Sequence, residues 1–310
     1  MRTLAALLLA VQAGPQDPPP AAIQWKVSLD TRFTMKFSSI EQYRSDTHQK
    51  NVGTDGLNTQ GTYGHTDRRE IEADLAFREL PGWQWALSID LKRVSWTYGS
   101  DEAEVTVTCA DGKEPQARVV VKEKEKARVP QAKADADNRA EHMKRMVLGE
   151  YDLAADRAGM VSIVRKGAID PGYSLFGRSF IQPPCTAEPV KADQEWKDPV
   201  PPLLPGAREI ESPGIVLKVA SVGEKAITLK GSVNLPLTKP LNASEVINGT
   251  FSLERESVFS REGYVQSARE EYAYRKTGKF TSTPMKGRAL TREETVTASF
   301  KQLVTLKPRK

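Results

Sequence analysis

The sequence predicts a mainly β protein, a β-rich α+β fold in which long, curled antiparallel sheets have one substantial helix packed against them. Three observations predict this class: apolar residues recur at every second position along several segments, turns with glycine or proline separate those segments, and a single stretch has helical spacing. The chain has 310 residues, of which 39% are hydrophobic and 27% charged. That length is enough for one large domain or two ordinary ones.

Residues 1–13 predict a signal peptide, because Arg2 precedes an apolar stretch from Leu4 to Val11 and Val11-Gln12-Ala13 forms a small-x-small cleavage site. A stretch of about eight apolar residues is too short to span a bilayer, which needs about twenty. A buried N-terminal helix is the alternative. Residues 14–22 are proline-rich and predict an extended, solvated spacer. We therefore expect an exported protein, periplasmic or extracellular, that does not span a membrane.

The first strands are predicted by alternation. Apolar residues occupy every second position from Gln24 to Phe37, which predicts an antiparallel strand with one buried face. Segments from Ile71 to Phe77 and from Trp83 to Leu91 flank a Pro-Gly turn and predict a hairpin. After Leu91 the apolar positions shift to Val94, Trp96 and Tyr98, which predicts a β-bulge that keeps one face buried.

The rest of the first half predicts two more hairpins and the helix. Val105 to Cys109 and Ala117 to Val121 flank an Asp-Gly turn, and Tyr151 to Ala154 and Met160 to Arg165 flank Asp156 to Gly159. Residues 131–148 predict the helix, because five apolar side chains share one side and Gly149 ends it. Those side chains are Ala132, Ala136, Met143, Met146 and Val147.

Prolines divide the chain. Residues 182–206 contain too many prolines for a helix or a central strand, so they predict a linker between an N-terminal β-rich half, residues 23–181, and a C-terminal β-rich half, residues 207–310. The strands predicted beyond the linker are Ile215 to Val222, Ala226 to Val233, Val246 to Leu253, Val258 to Tyr274 and Leu290 to Leu306.

Several segments of the sequence follow one another in an order that resembles that of a known group of proteins. These segments are Trp25 to Phe37, Tyr151 to Leu153 with Asp156 to Val161, Pro199 to Gly206, Ile247 to Leu253, Val258 to Glu262 and Glu293 to Leu306. In this order they resemble a group of uncharacterised exported bacterial proteins that is common in planctomycetes and built from long antiparallel strands. The resemblance implies secretion and a β-rich fold, and it carries over no catalytic residue.

Composition and motifs exclude several functions. The formal net charge of +5 is too small and dispersed for a nucleic-acid-binding protein, and the sequence has neither a glycine-rich phosphate loop nor a nucleophile motif. We therefore predict no enzyme activity, cofactor or metal. Asp46, His48, His65 and Asp67 lie in a polar segment from Arg44 to Arg69, but their spacing fits no standard set of metal ligands. The glycines of this segment predict a long loop, either mobile or contacting a partner.

The expected function is non-catalytic binding of an apolar ligand or an envelope partner on a curled sheet. A helix of eighteen residues is about 27 Å long and cannot cover strands of about 40 Å, so something else must cover the remainder. The candidate ligand-binding residues are Trp25, Trp83 and Trp85 on the strands and Met143 and Met146 on the helix. Core packing is the alternative role for all five side chains.

Two further hypotheses stay open. The rival function is hydrolysis of an envelope polymer by a carboxylate pair, although the pair Glu70 and Glu72 is expected on one outward face of its strand. In an oxidising compartment Cys109 and Cys185 are candidates for one disulfide, with two unpaired buried thiols as the alternative.

Overall fold

The computed structural model describes residues 20–24, 31–52, 59–78, 85–122, 129–155, 161–165, 175–176, 186, 188–198, 215–242, 245–285 and 288–309. The strands of the first half are β1 (Arg32–Val52), β2 (Thr59–Arg78), β3 (Trp85–Ser100), β4 (Ala103–Ala110), β5 (Gln116–Val121), β6 (Tyr151–Ala155) and β7 (Val161–Arg165). Those that follow are β8 (Glu195–Asp198), β9 (Ile215–Val222), β10 (Ala226–Asn242), β11 (Glu245–Ser260), β12 (Tyr264–Met285) and β13 (Arg288–Pro308). The helix α1 is Val129–Val147.

All these strands belong to one antiparallel sheet, which confirms the predicted fold class. Along the sheet the order is β5-β4-β3-β2-β1-β13-β12-β11-β10-β9-β8, and within the described ranges the two end strands, β5 and β8, do not pair with each other. The two predicted halves meet where β1 pairs with β13, from Phe33 opposite Pro308 to Val52 opposite Ala289. Their division into separate halves stays a prediction.

Strand β1 is much longer than the sequence predicts. It continues to Val52, and β2 begins at Thr59, so the segment predicted as a loop from Arg44 to Arg69 is instead two paired strands, apart from residues 53–58, which lie outside the described residues. The loop prediction was wrong because this part of the sequence is polar on both faces and shows no apolar alternation. Backbone pairing to β2 and β13 stabilises it as strand.

The register divides the side chains between two faces, because residues directly opposite each other in a ladder point the same way. We call the inner face the one that carries Phe33, Met35 and Phe37, each at most 2% exposed. The outer face carries the exposed residues Arg32 and Lys36 of the same strand. The alternation predicted for the opening strand is therefore confirmed over its described part. Trp25 lies outside the described residues.

The predicted β-bulge is confirmed. Ala73 lies opposite Leu91 and Glu72 lies opposite Arg93, so Lys92 is the extra residue in β3. The same flank of β3 has two partners: β6 pairs with it from Trp85 to Ile89, before the bulge, and β4 pairs with it from Arg93 to Gly99, after the bulge. The sheet is therefore branched at β3.

Helix α1 covers the inner face of this part of the sheet. It begins at Val129, two residues before its predicted start, and contacts β4 and β5. Its buried residues are Ala132, Ala136, Ala140, Met143, Met146 and Val147, so the predicted apolar side is confirmed. Phe176 fills the space beside it, with ring centroids 5.6 Å from Phe37 and 5.2 Å from Tyr151. No helical segment in the described ranges combines the length and apolar character needed to cross a bilayer.

Two boundaries differ from the predictions. The strand predicted from Val258 to Tyr274 is interrupted, because β11 ends at Ser260 and β12 begins at Tyr264. Gly263 has a φ of 93°, a conformation that glycine adopts without strain, and it allows the tight turn. Near the start of the chain, Ala21 forms a bridge with Val190, so the end of the predicted spacer already packs against the fold.

Two strand glycines give a test of the packing. A Cβ on Gly249 would lie 2.1 Å from the carbonyl oxygen of Arg275, whereas a Cβ on Gly61 would have nothing within 4 Å. We expect Gly249→Ala to lower the free energy of unfolding by about 1–3 kcal/mol, because the backbone must shift. Gly61→Ala, the matched control, should leave it unchanged or raise it by up to about 1 kcal/mol, because alanine loses less conformational freedom on folding. Urea denaturation measures both, and equal effects would contradict the described packing of β11 on β12.

Candidate functional site

The predicted ligand-binding side chains fall into two groups. Met143 and Met146 are 1% and 2% exposed and fill the core beneath α1, among Phe33, Met35 and Tyr151. Trp25 and Trp83 lie outside the described residues, as does the side chain of Trp85, although its backbone belongs to β3. The methionines therefore serve the core, and ligand binding by the tryptophans stays a prediction.

The four polar residues considered as metal ligands lie on opposite faces. Asp46 pairs with Thr62 and lies on the outer face with His48, whereas His65 pairs with Tyr43 and lies on the inner face with Asp67. The sheet itself separates the two pairs, so the four side chains do not surround one position. Asp46 instead accepts hydrogen bonds from Arg44 Nε, at 3.0 Å, and from Thr62 Oγ1, at 2.9 Å.

An aromatic stack occupies the inner face where β1, β2 and β3 adjoin. The ring of His65 lies between those of Tyr43 and Tyr98, with centroid distances of 5.2 and 5.5 Å and interplanar angles of 19° and 22°. The guanidinium carbon of Arg139, from α1, lies 3.8 Å from the centroid of the Tyr98 ring. The hydroxyl groups of Tyr63 and Tyr98 are 3.0 Å apart and hydrogen-bonded. The stack thus extends the contact between helix and sheet by a cation–π interaction.

Burial sets the charge state of the stack. It lowers the pKa of His65, because the protonated imidazole would lose its hydration, and it raises the pKa of Tyr98 and of Tyr43. The Glu41 and Asp67 carboxylates oppose the lowering for His65, whereas Arg139 adds to it. His65 Nδ1 is buried and has no hydrogen-bond partner in the described part of the chain. The His65 imidazole and the phenol groups of Tyr43 and Tyr98 are therefore neutral at neutral pH.

Buried charges on the inner face are paired. Asp67 accepts hydrogen bonds from Arg69 Nη2, at 2.9 Å, and from Trp96 Nε1, at 3.0 Å. Glu270 accepts two from Arg255, at 3.0 and 2.8 Å, with the two side chains only 3% and 5% exposed. Arginine thus holds both carboxyl groups by charge-assisted hydrogen bonds, an arrangement that suits a structural role.

A depression of about 820 Å³ opens on the outer face, and we call it the first depression. It spans β12, β13, β1, β2, β3 and the start of β4, in that order across the sheet. Short side chains explain it, because Gly64, Gly99 and Ala273 leave space between longer neighbours. Hydroxyl groups complete the floor, from Thr62, Thr66, Thr97, Thr297 and Ser299.

The rim of the first depression carries charges of both signs. Arg44 is held by Asp46, Asp101 accepts a hydrogen bond from the Gly64 N–H at 3.1 Å, and Lys122 donates to the Ser100 carbonyl oxygen at 2.6 Å. The guanidinium of Arg68 has neither a hydrogen bond nor an ion pair with any residue that the structure describes. Arg68 is therefore the rim cation that is available to a ligand.

Sequence reasoning missed the first depression because it assigned residues 44–69 to a loop. The available signal was the threonine and glycine at alternate positions, Thr62, Gly64 and Thr66, which is the outer-face counterpart of the apolar alternation. Such a pattern also fits solvated loops, so it predicts a binding surface only after the strands are known.

The carboxylate pair considered for a hydrolase, Glu70 and Glu72, lies on the outer face of β2, as predicted. The adjacent residues Glu293 and Glu294 point to opposite faces of β13 and so do not form such a pair. Hydrogen bonds from Arg44 and Arg269 lower the pKa of Asp46 and of Glu271. A glycosidase needs a carboxyl group shifted in the other direction, so that it stays protonated.

Cys109, the first of the two candidate disulfide cysteines, has no disulfide partner among the described residues. Cys109 is partly buried on β4, and its Sγ donates to the carbonyl oxygen of Lys113 at 3.3 Å. Burial raises the pKa of this thiol, and the Asp111 carboxylate adds to the effect. Cys185 lies outside the described residues, so the pairing stays a prediction.

Together these features define a protein built on one large antiparallel sheet, with a helix on its inner face and a polar depression on its outer face. No family model and no curated protein matches the chain. Among solved structures it aligns with the CymD monoaromatic hydrocarbon channel at 6% identity, over 85% of this chain and 88% of that chain, with a TM-score of 0.18. A TM-score this low does not establish a common fold, and the alignment carries no argument about function.

His65 should make stability depend on pH. Its folded-state pKa lies below the ordinary value of 6.5, so the unfolded chain binds a proton first as the pH falls. The chain therefore keeps its full stability above pH 6.5, as far as His65 is concerned, and loses stability as the pH falls below 6.5. We expect His65→Phe, which keeps an aromatic ring in the stack, to reduce the loss of stability between neutral pH and about pH 5. Urea denaturation across this range measures it, and an unchanged pH profile would contradict the assignment.

The pair Arg255–Glu270 gives a second test of the inner face. Arg255→Met leaves Glu270 buried without this partner, and we expect a loss of about 3–5 kcal/mol in the free energy of unfolding. The double variant Arg255→Met with Glu270→Gln should recover part of it. Arg269→Met, on an exposed arginine paired with Glu271, is the control and should cost at most about 1 kcal/mol. Equal losses for the two single variants in thermal or urea denaturation would be inconsistent with this account.

Proposed function

We propose that the chain is an exported, non-catalytic binding protein and that its first depression binds a polar partner of the cell envelope. The observation that carries this proposal is the combination of a depression of about 820 Å³, a floor of hydroxyl groups and glycines, and Arg68 on its rim, whose guanidinium has no partner among the described residues. Export rests on the predicted signal peptide of residues 1–13.

The chemistry of the first depression favours a ligand rich in hydrogen-bonding groups. Each threonine hydroxyl, such as those of Thr66 and Thr297, both donates and accepts, and the Arg68 guanidinium offers five N–H donors in a plane. An apolar ligand would remove these groups from water without replacing their hydrogen bonds, at a cost of about 1–3 kcal/mol for each group. A polar envelope partner is therefore the better match for this surface than the apolar ligand expected from the sequence.

The competing functions have less support. The apolar-ligand hypothesis now depends on Trp25, Trp83 and Trp85, because Met143 and Met146 already fill the core. The hydrolase hypothesis needs a carboxyl group that stays protonated, and the described carboxyl groups with a shifted pKa, Asp46 and Glu271, are shifted downward. Binding without catalysis requires neither feature.

Substitution of Arg68 tests the proposed function. We expect Arg68→Ala to weaken binding to soluble cell-envelope polysaccharides about tenfold or more, because a hydrogen bond to a charged group contributes about 1.5–3 kcal/mol. Retardation of the purified full chain in native gels cast with each polysaccharide measures the affinity. Arg93→Ala is the matched control, an exposed outer-face arginine on β3 outside the depression. Equal weakening by both variants, or no retardation of the wild type by any polysaccharide, would contradict the proposal.

A further inference from the structure

The outer face carries two more depressions besides the first. A second depression of about 420 Å³ lies beside it, and a third of about 530 Å³ lies beyond. The outer-face side chains of the second include those of Ser38, Ile40, Arg68, Glu70, Arg269, Glu271, Lys301 and Leu303. Those of the third include Glu195, Val216, Lys218, Ala220, Lys230, Ser232, Glu254, Glu256, Arg269 and Glu271.

Neighbouring depressions share their walls. Arg68 lines both the first and the second, and Arg269 and Glu271 line both the second and the third. These walls are long side chains and not backbone, and Arg269 and Glu271 form an ion pair with each other. We call the three adjoining depressions, taken together across the strands, the groove. From β4 to β8 it crosses ten strands of the sheet order, a path of about 40 Å along the surface at about 4.8 Å between strands.

Charges along this groove balance. Among the described residues, its outer-face lining holds as many basic as acidic side chains, so they offer no long-range attraction to a polyanion or a polycation. Several of them already neutralise each other, as in the ion pairs Lys230–Glu256, at 3.0 Å, and Lys301–Glu271, at 3.1 Å. The basic residues are Arg44, Arg68, Lys122, Lys218, Lys230, Arg269 and Lys301; the acidic residues are Glu70, Asp101, Glu104, Glu195, Glu254, Glu256 and Glu271.

The backbone beneath the groove is not available to a ligand. Interior strands such as β1, β13 and β12 are paired on both sides, so their N–H and C=O groups are used within the sheet. An extended peptide gains most of its affinity by pairing with a free strand edge, which the interior strands beneath most of the groove do not provide. Side chains alone must recognise the ligand. They suit a long chain that carries hydroxyl donors and acceptors at every repeat, which is a property of polysaccharides.

We propose that this groove binds an extended, uncharged polysaccharide chain along its length, from the first depression through the second to the third. This inference rests on the proposed function, which needs only the first depression. It adds the chemical class of the partner and the requirement that the partner be long. Binding should therefore strengthen as an oligomer is lengthened until it spans the groove, and it should be nearly insensitive to salt because no net charge is neutralised.

A blocking residue in the third depression tests the length of the site. Ser232→Trp places a bulky ring in that depression, while Asn234→Trp places the same ring at the next outer-face position of β10, outside the lining. We expect Ser232→Trp to lower the affinity for the longest bound oligomer about tenfold and to leave that for short oligomers unchanged, with Asn234→Trp altering neither. Calorimetric titration of the full chain with cello-, malto- and chito-oligosaccharides of increasing length measures this, with polygalacturonate as a polyanionic probe.

The outcomes separate the two proposals. The groove is supported if neutral oligosaccharides bind more tightly as they lengthen, if salt does not weaken this binding, and if Ser232→Trp removes the gain for the longest oligomers. Binding that depends on Arg68 but not on oligomer length or on Ser232→Trp overturns the groove and leaves the proposed function in place. Binding of polygalacturonate alone, lost at high salt, overturns the assignment of an uncharged chain. Absence of binding to every probe overturns the inference, while the gel assay with envelope polysaccharides judges the proposed function separately.

Discussion

The pairing of β1 with β2 on one side and β13 on the other is the constraint on which the rest of the structure depends. Both ladders fix the same register, and that register decides which side chains of a strand of 21 residues are inner and which are outer. A slip by one residue would move Phe33, Met35 and Phe37 to solvent and bring Lys36 inside, at a cost that no other contact offsets. Both the covered core and the polar groove follow from this alternation.

The sequence was informative wherever burial imposed a pattern. Alternation around Phe33, the shifted positions beyond Leu91 and the apolar side of α1 all reflect contact with the core, and each prediction is confirmed. It was uninformative from Arg44 to Arg69, where neither face is apolar and the strands are held by backbone pairing to partners distant in sequence. The first depression takes Thr62, Thr66 and Arg68 from that region, so these residues acquired a surface shared with β3, β12 and β13 only in the structure.

Charged side chains have different surroundings on the two faces of the sheet. On the inner face, Arg255 and Asp67 are held by ionic partners, because an unpaired buried charge would be very costly. On the outer face Arg68 lies between Ile40 of β1 and Thr97 of β3 and keeps its donors unused within the described residues. The first arrangement stabilises a fold, whereas the second leaves hydrogen-bonding capacity for another molecule. This contrast, more than any motif, separates structural from binding residues here.

The branch at β3 has a consequence for how such a chain can vary. Everything from β4 through α1 leaves one flank of β3 beyond the Lys92 bulge, and β6 then returns to that same flank before the bulge. The loops of this excursion can therefore be lengthened without changing the order of the strands from β3 to β8, provided that α1 still covers the inner face. An insertion there enlarges one wing of the molecule and leaves the long central ladders untouched.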